Sequence, residues 1–249
     1  MLEFCDLSLT LGKRRILKEV SFTVSRGRVT VLLGKNGSGK TSLLRCVNRE
    51  HPYDGEILLN GANITLLSPK KRAQSVAYLP QLLPAADLTV RELLLLGRMP
   101  HLSPFGRPSA ADLAAADEAL AAVRLGDRAG ALLSCLSGGE LRRAFFGMTL
   151  SQGAPLLLLD EPTAHLDADA KRELLSLISS PVKAGTHSAL LVLHDLNDAI
   201  RIADDIALLE GGRLLFSGAR DAFLQEEWPE RAFGLSAHRS EGDPLPFYY

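Results

Sequence analysis

The stretch GKNGSGKT, residues 34 to 41, constrains this chain more than any other. It matches G-x-x-x-x-G-K-[S/T] in the setting that pattern needs: an apolar run, VTVLLG (29–34), leads into it. The segment KTSLLRCVNR (40–49) leaves it with helical spacing of Leu43, Leu44 and Val47. Strand, glycine turn and helix together make a cradle for phosphate. Gly34, Gly37 and Gly39 let the backbone N–H groups of residues 37 to 42 turn inward on phosphate oxygens, Ser38 and Ser42 among them. The helix start adds partial positive charge. Lys40 would reach the β- and γ-phosphates and the Thr41 hydroxyl would be a Mg²⁺ ligand, while Lys35 and Asn36 complete the loop. A nucleoside triphosphate site is expected here.

The apolar runs VTVLLG, APLLLLDE (154–161) and SALLVLHD (188–195) are apolar on consecutive positions, as in strands buried on both faces of a helix-covered parallel sheet. Residues 1 to 33 read as strands and turns, with LEFCDLSL alternating and SFTV (21–24) following. GEILLNG (55–61) and SVAYLPQ (75–81) read as further strands, and DIALLEGGRLLFSG (205–218) as a hairpin across Gly211 and Gly212. Helices are expected at about 168–180 and 196–203.

Parallel strands end together at the sheet edge where ligands bind. Asp160 at the end of one run is therefore placed to hold the Mg²⁺ water shell, and Glu161 to orient or deprotonate an attacking water. His194, at the end of another run, reads either as a γ-phosphate contact or as an ordinary polar residue after a strand. Gln81 likewise reads as a hinge amide that touches metal or water, or as a polar loop residue.

From 86 to 152 the pattern turns helical. Thr89 with Glu92, and Ser109 with Asp112, make capping boxes. Leu113, Ala116, Leu120 and Val123 are expected on one buried helical face, and the Pro- and Gly-rich segment 97–109 in a loop. LSGGELRR (136–143) poses a problem of its own. Ser137 and Glu140 suffice to start a helix, yet Gly138 and Gly139 fill its first positions, each costing about 1 kcal/mol relative to alanine in a helix interior. Such glycines suit a backbone that something bulky and negative must approach closely. Two phosphate cradles for one nucleotide imply a second ligand or one nucleotide held between two surfaces.

A length of 249 residues, 46% of them hydrophobic, is ample for a core, and a net charge of −1 supplies no global field to draw nucleic acid or an anionic membrane. Cys5, Cys46 and Cys135 lie far apart without metal-ligand spacing and are expected as reduced thiols. The N-terminus does not read as a signal peptide, and no apolar run approaches the 18 residues of a membrane span. A soluble cytosolic protein is expected, touching a membrane only through a partner.

With GKNGSGKT, Gln81, LSGGE, LLLLDEP, AHLD and LHD in this order over 34–195, the chain resembles the ATP-binding subunit of an ABC transporter. The resemblance implies a P-loop NTPase core of α/β class with an N-terminal antiparallel β subdomain and an inserted α-helical subdomain. On this reading one domain spans 1–249: core at 1–85 and 153–218, helical subdomain at 86–152, C-terminal extension at 219–249. It implies a head-to-tail homodimer in which residues 34–41 of one chain and Ser137-Gly138-Gly139 of the other close on one ATP with Mg²⁺. Asp167 would be an interface acid and Glu161 the catalytic carboxylate, with Lys40 and His194 stabilising charge. The groove near Gln81 would receive a helix of an integral membrane permease, placing the subunit peripherally on the cytoplasmic face of the cell membrane.

The stretches LLLLGRMPHLSPFGRPSAADLAAADEAL and HDLNDAIRIAD are similar to those of iron-siderophore, haem and cobalamin importers, which also work with a substrate-binding protein. The chain departs from the family pattern at Leu11, where an adenine-stacking aromatic is usual. It departs also at Leu141-Arg142-Arg143, where Arg-Gln-Arg is usual, and at His165, usually a small residue. Three other readings compete: an importer ATPase for another substrate, a non-transport module acting on nucleic acid or ribosomes, and a scaffold that binds ATP without turnover. The second lacks the long coiled-coil insertion or second cassette it would need, and the third has intact Lys40, Asp160, Glu161 and His194 against it.

Overall fold

A computed structural model describes residues 1–103, 106–238 and 245–249. Part of the 97–109 loop expectation, Pro104 and Phe105, and residues 239–244 of the C-terminal extension lie outside the described residues. The chain divides into two compact units, Met1–Thr65 with Ala189–Tyr249, and Leu66–Ser188.

The first unit opens with β1 (Leu2–Leu11) and β2 (Arg14–Val24), paired antiparallel. The alternation of β1 changes phase midway: Leu2 and Phe4 are buried before Asp6, Leu7 and Leu9 after it. The pairing is irregular there, Asp6 has φ 49, and its N–H donates to Ser21 Oγ at 2.7 Å. This is a bulge, which takes up one residue and keeps both halves facing the core. Next come β3 (Val29–Leu33), buried at every position, and α1 (Lys40–Val47). Then β4 (Asp54–Leu59) pairs with the other edge of β1 and β5 (Ala62–Asn63) with β4, completing the expected antiparallel sheet in the order β2-β1-β4-β5.

The second unit contains α2 (Pro69–Ala73), β6 (Val76–Leu79), α3 (Val90–Leu96), α4 (Ala110–Ala122), α5 (Gly138–Ser151), β7 (Leu156–Asp160) and α6 (Ala168–Lys183). β6 and β7 pair in parallel, with Leu79 opposite Leu159. Helices α3, α4 and α5 start at Thr89, Ser109 and Ser137, each with both hydrogen bonds of a capping box. Their common core holds Leu93, Leu94, Ala116, Leu120, Val123, Phe145 and Phe146.

One position of the expected α4 stripe fails: Leu113 is 39% exposed, and Asp112 is buried in its place. The reason is an ion pair. Arg98 Nε lies 3.0 Å from Asp112 Oδ1 and Arg98 Nη1 donates to Ser151 O at 2.7 Å, so the helix turns its acid inward. The Ser109 hydroxyl, its backbone N–H and Arg98 hold the Asp112 carboxyl down at about 2.

The chain returns to the first unit through β8 (Ser188–Val192), α7 (Leu196–Ile202), β9 (Asp205–Glu210) and β10 (Arg213–Ala219). β3 lies between β8 and β9, parallel to both, and β10 closes the edge as the expected hairpin. After α8 (Arg220–Gln225) and α9 (Trp228–Phe233), the short strands β11 (Ala237–His238) and β12 (Phe247–Tyr248) pair antiparallel. The end of the chain packs on the unit: Tyr248 N donates to Asn197 Oδ1 at 2.8 Å, and Asn197 Nδ2 to Tyr248 O at 3.0 Å. The three cysteines are free, and burial pushes the Cys46 thiol up to about 12. No helix among the described residues is long and apolar enough to cross a membrane.

Candidate functional site

In the first unit, residues 34–39 link β3 to α1 as a closed loop. Gly34 has φ 146, and a Cβ there would lie 2.1 Å from Leu209 O, so no other residue fits. Gly39, at φ 107, caps α1 without a side-chain hydrogen bond, and Lys40, Thr41 and Ser42 form the first helical turn. Lys40 is buried and folds back, its Nζ donating to Gly34 O at 2.7 Å and Lys35 O at 3.2 Å. Ser38 N donates to Lys35 O at 3.1 Å. The Ser38 hydroxyl is buried with no hydrogen-bond partner among the described residues. A lysine folded onto loop carbonyls, an orphaned hydroxyl and a row of amides suit an oxyanion ligand. His194 reaches the same sheet edge. β3 and β8 run parallel with Leu32 opposite Val192, so residue 34 and residue 194 both leave the sheet two positions later.

In the second unit the ends of β6 and β7 meet. Gln81 Nε2 donates to Glu161 Oε2 at 2.6 Å, and Tyr78 Oη donates to Asp160 Oδ2 at 3.3 Å. Asp160 is 1% exposed, whereas Glu161 is half-buried and stands in the left-handed region at φ 49. A glutamate there is strained, and such strain gathers at functional positions. Sequence reasoning missed Tyr78. Its place opposite Leu158 comes from the β6–β7 register, and the sequence offered only a tyrosine three residues before Gln81 in the same run.

At the start of α5, Ser137 Oγ accepts from Glu140 N at 3.3 Å, and Glu140 Oε2 accepts from Ser137 N at 2.9 Å. Those bonds to Ser137, aided by Arg128, hold the Glu140 carboxyl below its ordinary range. Neither Gly138 nor Gly139 has positive φ. A Cβ at Gly138 would meet nothing within 4 Å, whereas one at Gly139 would lie 3.1 Å from Ala170 Cβ. The fold of this chain therefore does not require a glycine at 138. A cavity of about 400 Å³ lies over this turn, shared by Ser137–Glu140, Arg143, His165 and Asp167. Asp167 caps α6, its Oδ1 accepting from Asp169 N at 3.1 Å and Ala170 N at 2.8 Å.

The structure thus starts the 34–39 loop and His194 from the ends of neighbouring strands, and brings Gln81 together with Glu161 at the ends of β6 and β7, and Ser137-Gly138-Gly139 together with Asp167. Among the described residues no group of three His, Cys, Asp or Glu could hold a metal ion. Oxygen donors occur in each unit: the Thr41 hydroxyl in the first, the Gln81 amide oxygen and the Asp160 carboxylate in the second. Hard donors of this kind fit Mg²⁺, which keeps several waters and takes few carboxylates.

The family model for ABC transporters matches residues 17–164. The chain is 36% identical over 239 residues to the petrobactin import ATP-binding protein FpuC of Bacillus anthracis, covering 95% of this chain and 88% of that one. It is 34% identical over 232 residues to the ferric enterobactin transport ATP-binding protein FepC of Escherichia coli, covering 92% and 86%. Its fold is similar to that of a chain from an inward-facing ABC transporter described as of metal-chelate type, with a TM-score of 0.86 at 23% identity, covering 100% and 96%. The glycine loop, the acids that end β7 and the capped double glycine of α5 occur in a chain of this descent: it belongs to the ABC transporter family, as one of its ATP-binding subunits.

Proposed function

We infer that this chain is the ATP-hydrolysing subunit of an importer for a metal-chelate type substrate, an iron-siderophore, haem or cobalamin. It works as a head-to-tail homodimer on the cytoplasmic face of the cell membrane, held there by permease subunits that a substrate-binding protein supplies. The functions of the relatives, petrobactin and ferric enterobactin import, support the substrate class. The observation that carries the dimer is Gly138. It is a helix-weakening residue whose missing Cβ faces open space, on a turn built to receive an anion, in a chain that already has one phosphate cradle. Leu82, next to Gln81 and 83% exposed, supports a partner surface beside the hinge amide.

In this reading the amides of residues 37–42 hold the phosphate oxygens, and Lys40 exchanges its two carbonyl acceptors for β- and γ-oxygens. Glu161, oriented through Oε2 by Gln81, uses its carboxylate to position a water in line with the γ-phosphorus and takes its proton. His194 contacts the γ-phosphate from the neighbouring strand end. Thr41, Gln81 and Asp160 would hold Mg²⁺, which when bound neutralises charge on the β- and γ-oxygens. In the second copy, Ser137, Gly138 and Gly139 complete the site and Asp167 lines it. Glu140, turned back onto its own cap, keeps its charge away from the phosphate. The helical subdomain at 86–152 is an insertion in one nucleotide-binding module over 1–249.

A phosphate-release assay with and without a candidate permease, together with Glu161→Gln, tests this reading. The variant should bind ATP, lose turnover and accumulate as a dimer. Turnover at the normal rate overturns the assignment.

A further inference from the structure

α7 has seven residues, too few to hold a helix in place by itself, so its position follows from what grips it. It packs against β3, the strand that leads into residues 34–39, and against β12 near the end of the chain. Leu196, Ala199 and Ile200 are its buried residues. Side-chain hydrogen bonds tie both of its ends to the C-terminal extension. At the first turn Asn197 Oδ1 accepts from Tyr248 N at 2.8 Å, and Asn197 Nδ2 donates to Tyr248 O at 3.0 Å. One side-chain amide thus exchanges both bonds with a backbone residue, as a paired strand residue would. At the last turn Arg220 Nη1 donates to Ile200 O and Ala203 O, each at 3.5 Å.

The grip is mutual. β11 and β12 pair over two residues each, joined by bonds of 3.0 and 3.3 Å between Ser236 and Tyr249, and so short a two-stranded pair is marginal alone. Asn197 also lies close to His194 along the chain of bonds. The Asp195 carboxylate, next to His194, accepts from Asn197 N at 2.9 Å and from Asp198 N at 3.2 Å. His194 is exposed, with buried Leu193 before it and buried Leu196 after it. β8 fixes the backbone behind His194, and the first turn of α7 fixes the backbone ahead of it.

We propose that Asn197, clasped by the backbone of Tyr248, is a positioning residue for His194. The extension 219–249 is then a clamp that seats α7, and with it His194, beside the strand that delivers the phosphate loop. This rests on the reading of His194 as the γ-phosphate contact. It gives a role to a segment that the nucleotide chemistry above does not use. None of these bonds involves residues 34–42, so opening the clamp displaces His194 and leaves the hold on ATP in place.

The test uses the full chain in two measurements. The first is hydrogen exchange on nucleotide-free protein. In Asn197→Ala the amides of 194–198 should exchange at least about tenfold faster than in wild type, with those of α1 unchanged. Equal rates overturn the clamp. The second is steady-state turnover of Asn197→Ala, of Tyr248→Pro, which removes the N–H that Asn197 accepts, and of the pair. Each should lower kcat about fivefold with KM for ATP within about twofold, and the pair should lose no more than the larger single loss, because both break one clasp. An unchanged kcat, a loss confined to KM, or losses that multiply overturn the positioning role. If Tyr248→Pro does not fold, Asn197→Leu, which removes the amide at similar size, decides in its place: a kcat equal to wild type overturns the role. The two readings fail separately. A His194→Ala variant with normal turnover removes the phosphate contact and this role with it, whereas a slow His194→Ala beside a normal Asn197→Ala removes Asn197 alone.

Discussion

Gln81 Nε2 and Glu161 Oε2 lie 2.6 Å apart, across 80 residues of sequence. The contact decides the orientation of the Gln81 amide: its nitrogen faces the carboxylate, so its oxygen is left for a cation or water. The same side chain thus holds the Glu161 carboxylate through its nitrogen and keeps its oxygen available.

Replacing Gln81 by Met keeps the side-chain length and removes both functions. The expected result is a fall in kcat of about tenfold or more with a smaller change in ATP affinity, since a misaligned base loses positioning rather than binding. Steady-state kinetics of Gln81→Met beside wild type, with a rate within twofold, would remove Gln81 from the site.

Lys40→Met strips two loop carbonyls of their donor and the phosphates of theirs. A charge-assisted hydrogen bond contributes about 1.5–3 kcal/mol, so ATP should bind weaker by roughly ten- to a hundredfold. Calorimetric titration reads this directly. Affinity equal to wild type would mean that the loop binds nucleotide without its lysine.

Gly138→Ala should separate folding from function. A Cβ there meets no atom of the chain and the helix gains propensity, so thermal stability should hold or rise by a few degrees. ATP binding at 34–41 should be spared, while dimer closure and turnover are lost. Gly139→Ala is the contrast, because its Cβ presses on Ala170 at 3.1 Å and should lower the melting temperature. A Gly138→Ala protein with full turnover would leave the turn without a ligand.

Asp112 makes a pH prediction. Its carboxyl is depressed in the folded chain by Ser109 and Arg98, to about 2 from an ordinary 3.8. A depressed folded value means stability fully present above about pH 4 and lost progressively as pH falls toward 2. Urea midpoints at pH 5 and pH 2.5 should differ more for wild type than for Asp112→Asn. Equal losses would place the acid sensitivity elsewhere.

What could be read from the chain alone was what neighbours in sequence decide. The phosphate loop, the capping boxes at 89, 109 and 137, the buried runs of β3, β7 and β8 and the Gly211-Gly212 hairpin rest on contacts spanning a few residues. Helical and strand periodicity report such contacts faithfully. Periodicity assigned Leu113 to the core because it counts apolar side chains. It had no means of seeing that Arg98 and Ser151, far along the chain, would hold Asp112 inside instead. Likewise LSGGELRR showed a double glycine without showing that Gly139 is crowded by Ala170 and Gly138 by nothing. Arg142 and Arg143, adjacent and alike in sequence, part in the fold: Arg142 is buried, whereas Arg143 pairs with Glu173 on α6. Their roles were decided only by tertiary structure. The counter-charge that suits a buried guanidinium depends on which strand end and which helix the fold brings beside it, and no local pattern carries that information.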